Sequence, residues 1–174
     1  MSLLALVGLQ SPAQAAVTSW ASLYNNATGN VMAIKGGTGA TAGADVIQWP
    51  PAAYTNPQDQ YWGRDYSVFP QNSANTYFAL RTAGTANQFA LSVDGNSSAN
   101  GAKLVQWWFK FDNMFEQWSI ARVVTVNGST VVQYQNRGTG KCIALQGGST
   151  APAGAPLIQF TCGSGPDQLW KTRS

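Results

Sequence analysis

Tyr134-Gln-Asn-Arg-Gly-Thr-Gly-Lys-Cys-Ile-Ala-Leu145, then Gly154-Ala-Pro-Leu-Ile-Gln-Phe160, then Asp167-Gln-Leu-Trp170 punctuate the last third of the chain. The same plan occurs twice before it. The first copy runs Leu23-Tyr-Asn-Asn-Ala-Thr-Gly-Asn-Val-Met-Ala-Ile34, Gly43-Ala-Asp-Val-Ile-Gln-Trp49 and Asp59-Gln-Tyr-Trp62. The second has Gln88-Phe-Ala-Leu-Ser-Val93, Gly101-Ala-Lys-Leu-Val-Gln-Trp107 and Phe115-Glu-Gln-Trp118. The glutamines Gln48, Gln106 and Gln159 are 58 and 53 residues apart, and the closing tryptophans Trp62, Trp118 and Trp170 are 56 and 52 apart. Self-similarity at a near-constant period is the sequence mark of a repeat architecture whose units share one core.

Within each unit the apolar segments are short, rich in Val, Ile, Leu, Tyr and Trp, and bounded by Gly, Pro, Asn or Ser, which is a strand-and-turn pattern. Asn127-Gly128 between Val123–Val126 and Thr130–Tyr134 is a hairpin signal, because both turn positions need positive φ. No apolar run keeps a helical period. The 174 residues include 18 glycines and only 10% charged residues, with seven Trp, seven Phe and six Tyr to fill a core. Such a composition suits an all-β domain and excludes a disordered one. Pro70–Asn75 reads as a loop between units, not as a domain linker.

The net charge of +3 comes from ten scattered basic residues, so no nucleic-acid footprint is expected. The opening Met1–Ala16 reads as the end of a secretory signal, with an apolar run over Leu3–Leu9 and a small-x-small Ala13-Gln-Ala15, although a basic start is missing. Nothing else is apolar for long enough to span a membrane. Cys142 and Cys162 are the only cysteines; in an exported chain they are expected to pair, and in a cytosolic one they are two free thiols. The absence of histidine excludes Ser-His and Cys-His nucleophiles and His-bearing metal sites. The only glutamate is Glu116, and no spacing of the aspartates recommends a glycosidase pair. Neither catalysis nor a cofactor or metal is expected.

The Gln-x-Trp endings, the Gly-Ala-x-x-x-Gln-Trp segments and Cys142-Ile-Ala-Leu145 with Phe160-Thr-Cys162 resemble the ricin B-type lectins. The resemblance covers the chain after its leader and implies a β-trefoil: three repeats of four strands about a pseudo-threefold axis. A single domain over 17–174 is expected, with repeats at about 17–69, 70–122 and 123–174. The family implies a disulfide within a repeat, Cys142–Cys162; Val31 with Pro51, and Ala90 with Phe109, occupy the matching positions elsewhere. It also implies that Trp62, Trp118 and Trp170 are core residues.

The family's sugar site, one per repeat, combines an aspartate that accepts from adjacent hydroxyls, an aromatic stacked on the pyranose, and a polar residue beside the Gln-x-Trp glutamine. Carried over, the aromatic is Trp49, Trp107 or Phe160. The polar partner is Asp59 with Gln60, or Asp167 with Gln168, and is lost to Phe115 beside Glu116 in the second repeat. The aspartate is replaced throughout, by Ala33, Ser92 and Ala144. An exposed aromatic ridge within Trp107–Phe111, where alternation sends Trp107, Phe109 and Phe111 one way and Trp108 and Lys110 the other, offers a further stacking surface. Trp49 with Tyr54 offers another. The expected function is a secreted carbohydrate-binding module for galactose-type or polymeric glycans. Two rivals keep the same fold: an adaptor that has lost its sugar sites and serves a protein partner in a secreted complex, or a β-trefoil protease inhibitor.

Overall fold

The computed structural model describes Val17 and residues 19–54, 57–66, 76–85 and 88–173. The expected leader, 1–16, and the loop 70–75 lie outside them. The described residues form twelve strands and single-turn 3-10 segments. Strands β1 (Trp20–Asn25), β2 (Val31–Ile34), β3 (Val46–Trp49) and β4 (Trp62–Asp65) make the first repeat. Strands β5 (Ala79–Thr82), β6 (Phe89–Val93), β7 (Leu104–Trp108) and β8 (Trp118–Val126) make the second. Strands β9 (Ser129–Asn136), β10 (Cys142–Leu145), β11 (Leu157–Phe160) and β12 (Trp170–Arg173) make the third.

The first and fourth strands of the repeats close a six-stranded barrel. β1 pairs with β12 and β4, β4 with β5, β8 with β9, and β9 with β12, all antiparallel. The ring is completed by an isolated bridge in which Phe78 and Trp118 exchange backbone hydrogen bonds of 2.9 and 2.8 Å. Closure removes the exposed edges of an open sheet. The middle strands form three hairpins, β2–β3, β6–β7 and β10–β11, in one shared register: Ala33 opposite Ile47, Ser92 opposite Val105, Ala144 opposite Ile158. Bridges between Asp45 and Val105, Ile47 and Pro156, and Lys103 and Ile158 link the hairpins pairwise into a triangular cap. This is the β-trefoil that the repeat implied. Asn127 (φ 48°) and Gly128 (φ 73°) make the expected hairpin turn between β8 and β9.

The core lies where barrel and cap meet. Trp62, Trp118 and Trp170 are at most 2% exposed. The indole N–H groups of Trp62 and Trp118 donate 3.0 Å bonds to the carbonyls of Met32 and Leu91, tying each closing strand to its own hairpin. Each buried indole supplies about 4–6 kcal/mol of gross hydrophobic stabilisation, an upper bound on the net gain. Cys142 and Cys162 form a disulfide between β10 and the segment after β11. At the matching place in the second repeat, Ala90 is buried and Phe109 lies beneath the guanidinium of Arg81, 4.1 Å from its ring centroid. Arg81 is itself 1% exposed and 3.9 Å from the buried Asp65 carboxylate. A cation held over a ring stands where the third repeat has a covalent link.

Candidate functional site

Each third strand ends on an outward-facing aromatic. Trp49, Trp107 and Phe160 are 48%, 41% and 44% exposed, whereas the preceding Gln48, Gln106 and Gln159 are buried. The side-chain period of two explains the pair: one residue faces in and the next faces out. The buried amides span the joints between repeats in cyclic order. Gln48 donates from Nε2 to the carbonyls of Ala151 and Pro152 at 2.7 and 2.8 Å. Gln106 does the same to Ala40 and Thr41, and Gln159 to Ser97 and Ala99. Backbone bonds reinforce each joint: Gly154 N–H donates to Gln48, Gly43 to Gln106 and Gly101 to Gln159. These three glycines sit at φ 86°, 88° and 83°, in the left-handed region that side chains disfavour. A Cβ on Gly154 would lie 3.5 Å from the Trp49 ring, and one on Gly43 would lie 3.3 Å from the Trp107 ring. The Trp49 and Trp107 platforms are therefore each built by two repeats.

The chain after each aromatic is fixed from below by the Gln-x-Trp position. Gln60 accepts from Ala52 N–H at 2.9 Å and donates to the Pro50 carbonyl at 3.2 Å. Gln168 accepts from Gly163 N–H and Gln133, and donates to the Thr161 carbonyl. Both are buried, at 4% and 6% exposure. The structure thus turns these two expected site residues inward, where they position the rim. Glu116 repeats the role with a carboxylate, accepting from Lys110 N–H at 2.7 Å and from Asn113 Nδ2 at 2.8 Å. Burial raises its pKa, against the lowering effect of those two hydrogen bonds and of the Lys110 and Arg81 charges. Burial likewise lowers the pKa of Arg81, against the opposing carboxylates of Asp65 and Glu116.

Two clefts open beside the platforms. In the first repeat Trp49 and Asp59 line one cleft with Ala33, Lys35 and the Gly36-Gly37 turn, enclosing about 370 Å³. In the second, Trp107 lines a cleft of about 350 Å³ with Ser92, Asp94, Asn96, Lys110 and Asn113. In the third repeat Phe160 ends β11 and Asp167 lies in the 3-10 turn before β12. The structure puts Ala33 and Ser92 on the cleft walls, at the position where the resemblance would place an aspartate. Phe115 packs against the core, as its type dictates, and Asn113 lines the second cleft two residues earlier. Asp94, Lys110 and Asn113 were not among the expected site residues. The signal for Asp94 was its place directly after the apolar strand, matching Lys35 and Gln146.

Beyond the clefts, Trp108 is 50% and Phe111 59% exposed. The alternation expected over 107–111 stops at Trp108, the last residue paired in β7. Trp107 and Trp108 consequently both meet solvent, and Phe109 is covered by Arg81. Tyr54 is 65% exposed in the loop after Trp49. No helix among the described residues is long and apolar enough to cross a membrane.

Comparison with known proteins gives the same fold. The designed threefold-symmetric protein ThreeFoil superposes with a TM-score of 0.70 at 21% identity, over 89% of this chain and 98% of that one. A lectin of Macrolepiota procera, described as ricin B-like and in complex with lactose, gives 0.65 at 19% identity, over 91% and 97%. The exo-β-1,3-galactanase 1,3Gal43A of Clostridium thermocellum gives 0.70 at 20% identity, over 89% of this chain but only 30% of the enzyme. No curated protein matches the sequence. The family described as ricin-type beta-trefoil lectin domain-like matches residues 14–107 and 116–174, and the chain belongs to that family.

Proposed function

We propose that this chain is a secreted, non-catalytic carbohydrate-binding domain, occupying 17–174 in repeats of about 17–69, 70–122 and 123–174. The observation that carries the reading is the equivalent, half-exposed placement of Trp49, Trp107 and Phe160, two of them beside clefts that also hold charged side chains. An exposed ring face on a rigid strand suits stacking on the apolar face of a pyranose, and the charged groups beside it suit hydroxyl recognition. Asp59 serves the first cleft directly, with Gln60 holding its rim. Asp167 stands in the corresponding turn of the third repeat, where Gln168 holds the chain after Phe160. The only glutamate, Glu116, is committed to loop hydrogen bonds. The leader-like Met1–Ala16 and the Cys142–Cys162 disulfide support export.

Several weak sites on one rigid body gain from a repeating ligand, because the second contact is intramolecular. Galactose-type and polymeric glycans are therefore the ligands to test, in line with the lactose-bound and galactanase neighbours. A second reading, the adaptor, draws on Ala33, Ser92 and Ala144 standing where the family's aspartate is expected. The two separate on a glycan array containing galactose-type and cell-wall polysaccharides. Competable binding that weakens in Trp49→Ala or Trp107→Ala, with the fold intact, supports the lectin. Binding unaltered in both variants refutes the site assignment. Silence from folded protein, with a stoichiometric partner co-purifying, favours the adaptor.

A further inference from the structure

The two clefts are not copies of each other. In the first, the residue directly after the second strand of the repeat is a cation, Lys35, and the acid Asp59 comes from the turn before β4. In the second, the residue directly after the equivalent strand β6 is an acid, Asp94, and the cation Lys110 comes from the segment after β7. The charges beside the aromatic platform are exchanged.

Asp94 is also held in place. Its N–H donates to the Lys103 carbonyl at 3.0 Å, and its carbonyl accepts from Ser97 N–H at 3.2 Å. The following Gly95 and Asn96 have φ 59° and 52°, which folds the turn back over the cleft. Asn96 is joined to Asn113 on the opposite wall by a 3.4 Å hydrogen bond, and Asn113 is anchored in turn by Glu116. The Asp94 side chain is exposed, and its carboxylate makes no hydrogen bond or ion pair to another described residue. Two residues before it, Ser92 is buried with only a hydroxyl on the cleft wall.

Resting on the reading that the clefts bind sugar, we propose that Asp94 is the hydroxyl-accepting carboxylate of the second cleft, supplying from the turn what position 92 lacks. Its two acceptor-only oxygens match a pair of adjacent hydroxyls on a neutral pyranose stacked against Trp107. The first and second clefts then offer their acceptor carboxylates from different elements of the repeat, Asp59 from the turn before β4 and Asp94 from the turn after β6, and are not copies of one site.

The test uses the full chain carrying Trp49→Ala and Phe160→Ala, which leaves the second platform, over surfaces bearing lactose and β-1,3-galactan. Adding Asp94→Asn is expected to weaken retention by about tenfold or more, the loss of a charge-assisted acceptor. Asp112→Asn, an equal charge change at an exposed residue outside the cleft, is expected to leave it unchanged. Undiminished retention in Asp94→Asn, with loss in Trp107→Ala, overturns the role of Asp94 and leaves the sugar-binding reading standing. Loss of all retention in the doubly substituted background, while the unsubstituted chain still binds, also overturns it. Failure of the unsubstituted, folded chain to bind either surface overturns both.

Discussion

The Trp49 ring in the first repeat rests against Gly154 of the third, so closely that a Cβ on that glycine would lie 3.5 Å from ring carbon Cζ3. Gly43 and Trp107 repeat the contact at 3.3 Å, one repeat further round. A platform that looks local in sequence is thus set by a residue more than a hundred positions away.

Substituting Gly154→Ala brings two effects. The residue sits at φ 86°, where any side chain costs about 1–2 kcal/mol, and the new methyl comes into van der Waals contact with the Trp49 ring, changing its surroundings. Gly101→Ala isolates the first effect, because φ is 83° and nothing lies within 4 Å of its Cβ position. Both variants are expected to melt at lower temperature by similar amounts, while only Gly154→Ala changes Trp49 fluorescence and glycan retention. Equal behaviour in all three measurements would show that the glycine does not set the platform.

The glutamine joints carry a larger share of stability. Gln48→Ala leaves the buried Ala151 carbonyl, bonded at 2.7 Å, without its side-chain donor, whereas the Pro152 carbonyl keeps the Ala155 N–H at 3.1 Å. A stranded buried acceptor costs about 1–3 kcal/mol. Urea unfolding of Gln48→Ala is expected to show a loss of about 1–3 kcal/mol, with an unchanged slope. A loss below about 0.5 kcal/mol would mean that water replaces the amide without penalty.

The third repeat depends on its disulfide in a way that the second does not. The bridge closes a loop of sequence separation 20, for which the chain-entropy argument gives about 3 kcal/mol. Cys142→Ser with Cys162→Ser is expected to lose that amount in denaturant unfolding and to leave the exposure of Trp49 and Trp107 unchanged. In the second repeat the corresponding change is Arg81→Met, which takes the cation away from the buried Asp65 carboxylate and from the Phe109 ring. Breaking a buried charge pair by removing one partner costs about 3–5 kcal/mol, so this variant is expected to be the less stable of the two.

How far the sequence reveals this structure depends on how local each cause is. The trefoil is legible because the Gln48, Gln106 and Gln159 spacing and the closing Trp62, Trp118 and Trp170 recur in one chain order, and a repeat needs only self-comparison to be found. The aromatic platforms are legible too, since strand alternation after a buried glutamine leaves the next residue outward. Asn113 is not legible. Its place in the second cleft follows from Phe115 being drawn into the core and Glu116 offering an acceptor where Gln60 and Gln168 offer a donor as well. Nor is Arg81, whose burial is explained by Phe109, just after β7, and Asp65 on β4, which come together with it only in the folded barrel.

That exchange of Gln for Glu at position 116 has a pH signature. Burial raises the Glu116 pKa above its usual value of 4.5 despite two hydrogen bonds and the nearby Lys110 and Arg81 charges. A folded chain whose carboxyl has the higher pKa binds more protons than the unfolded chain between the two values. In that window stability falls as pH rises and recovers as pH falls. Glu116→Gln removes the titration while keeping the shape, but its Nε2 then faces the Asn113 amide, donor to donor. The unfolding free energy of the wild type relative to Glu116→Gln is expected to increase as pH drops from about 7 toward 4, the usual carboxylate range. Paired urea titrations at the two pH values measure it. A wild type that loses ground on acidification would mean that the bonds from Lys110 N–H and Asn113, not desolvation, govern this carboxylate.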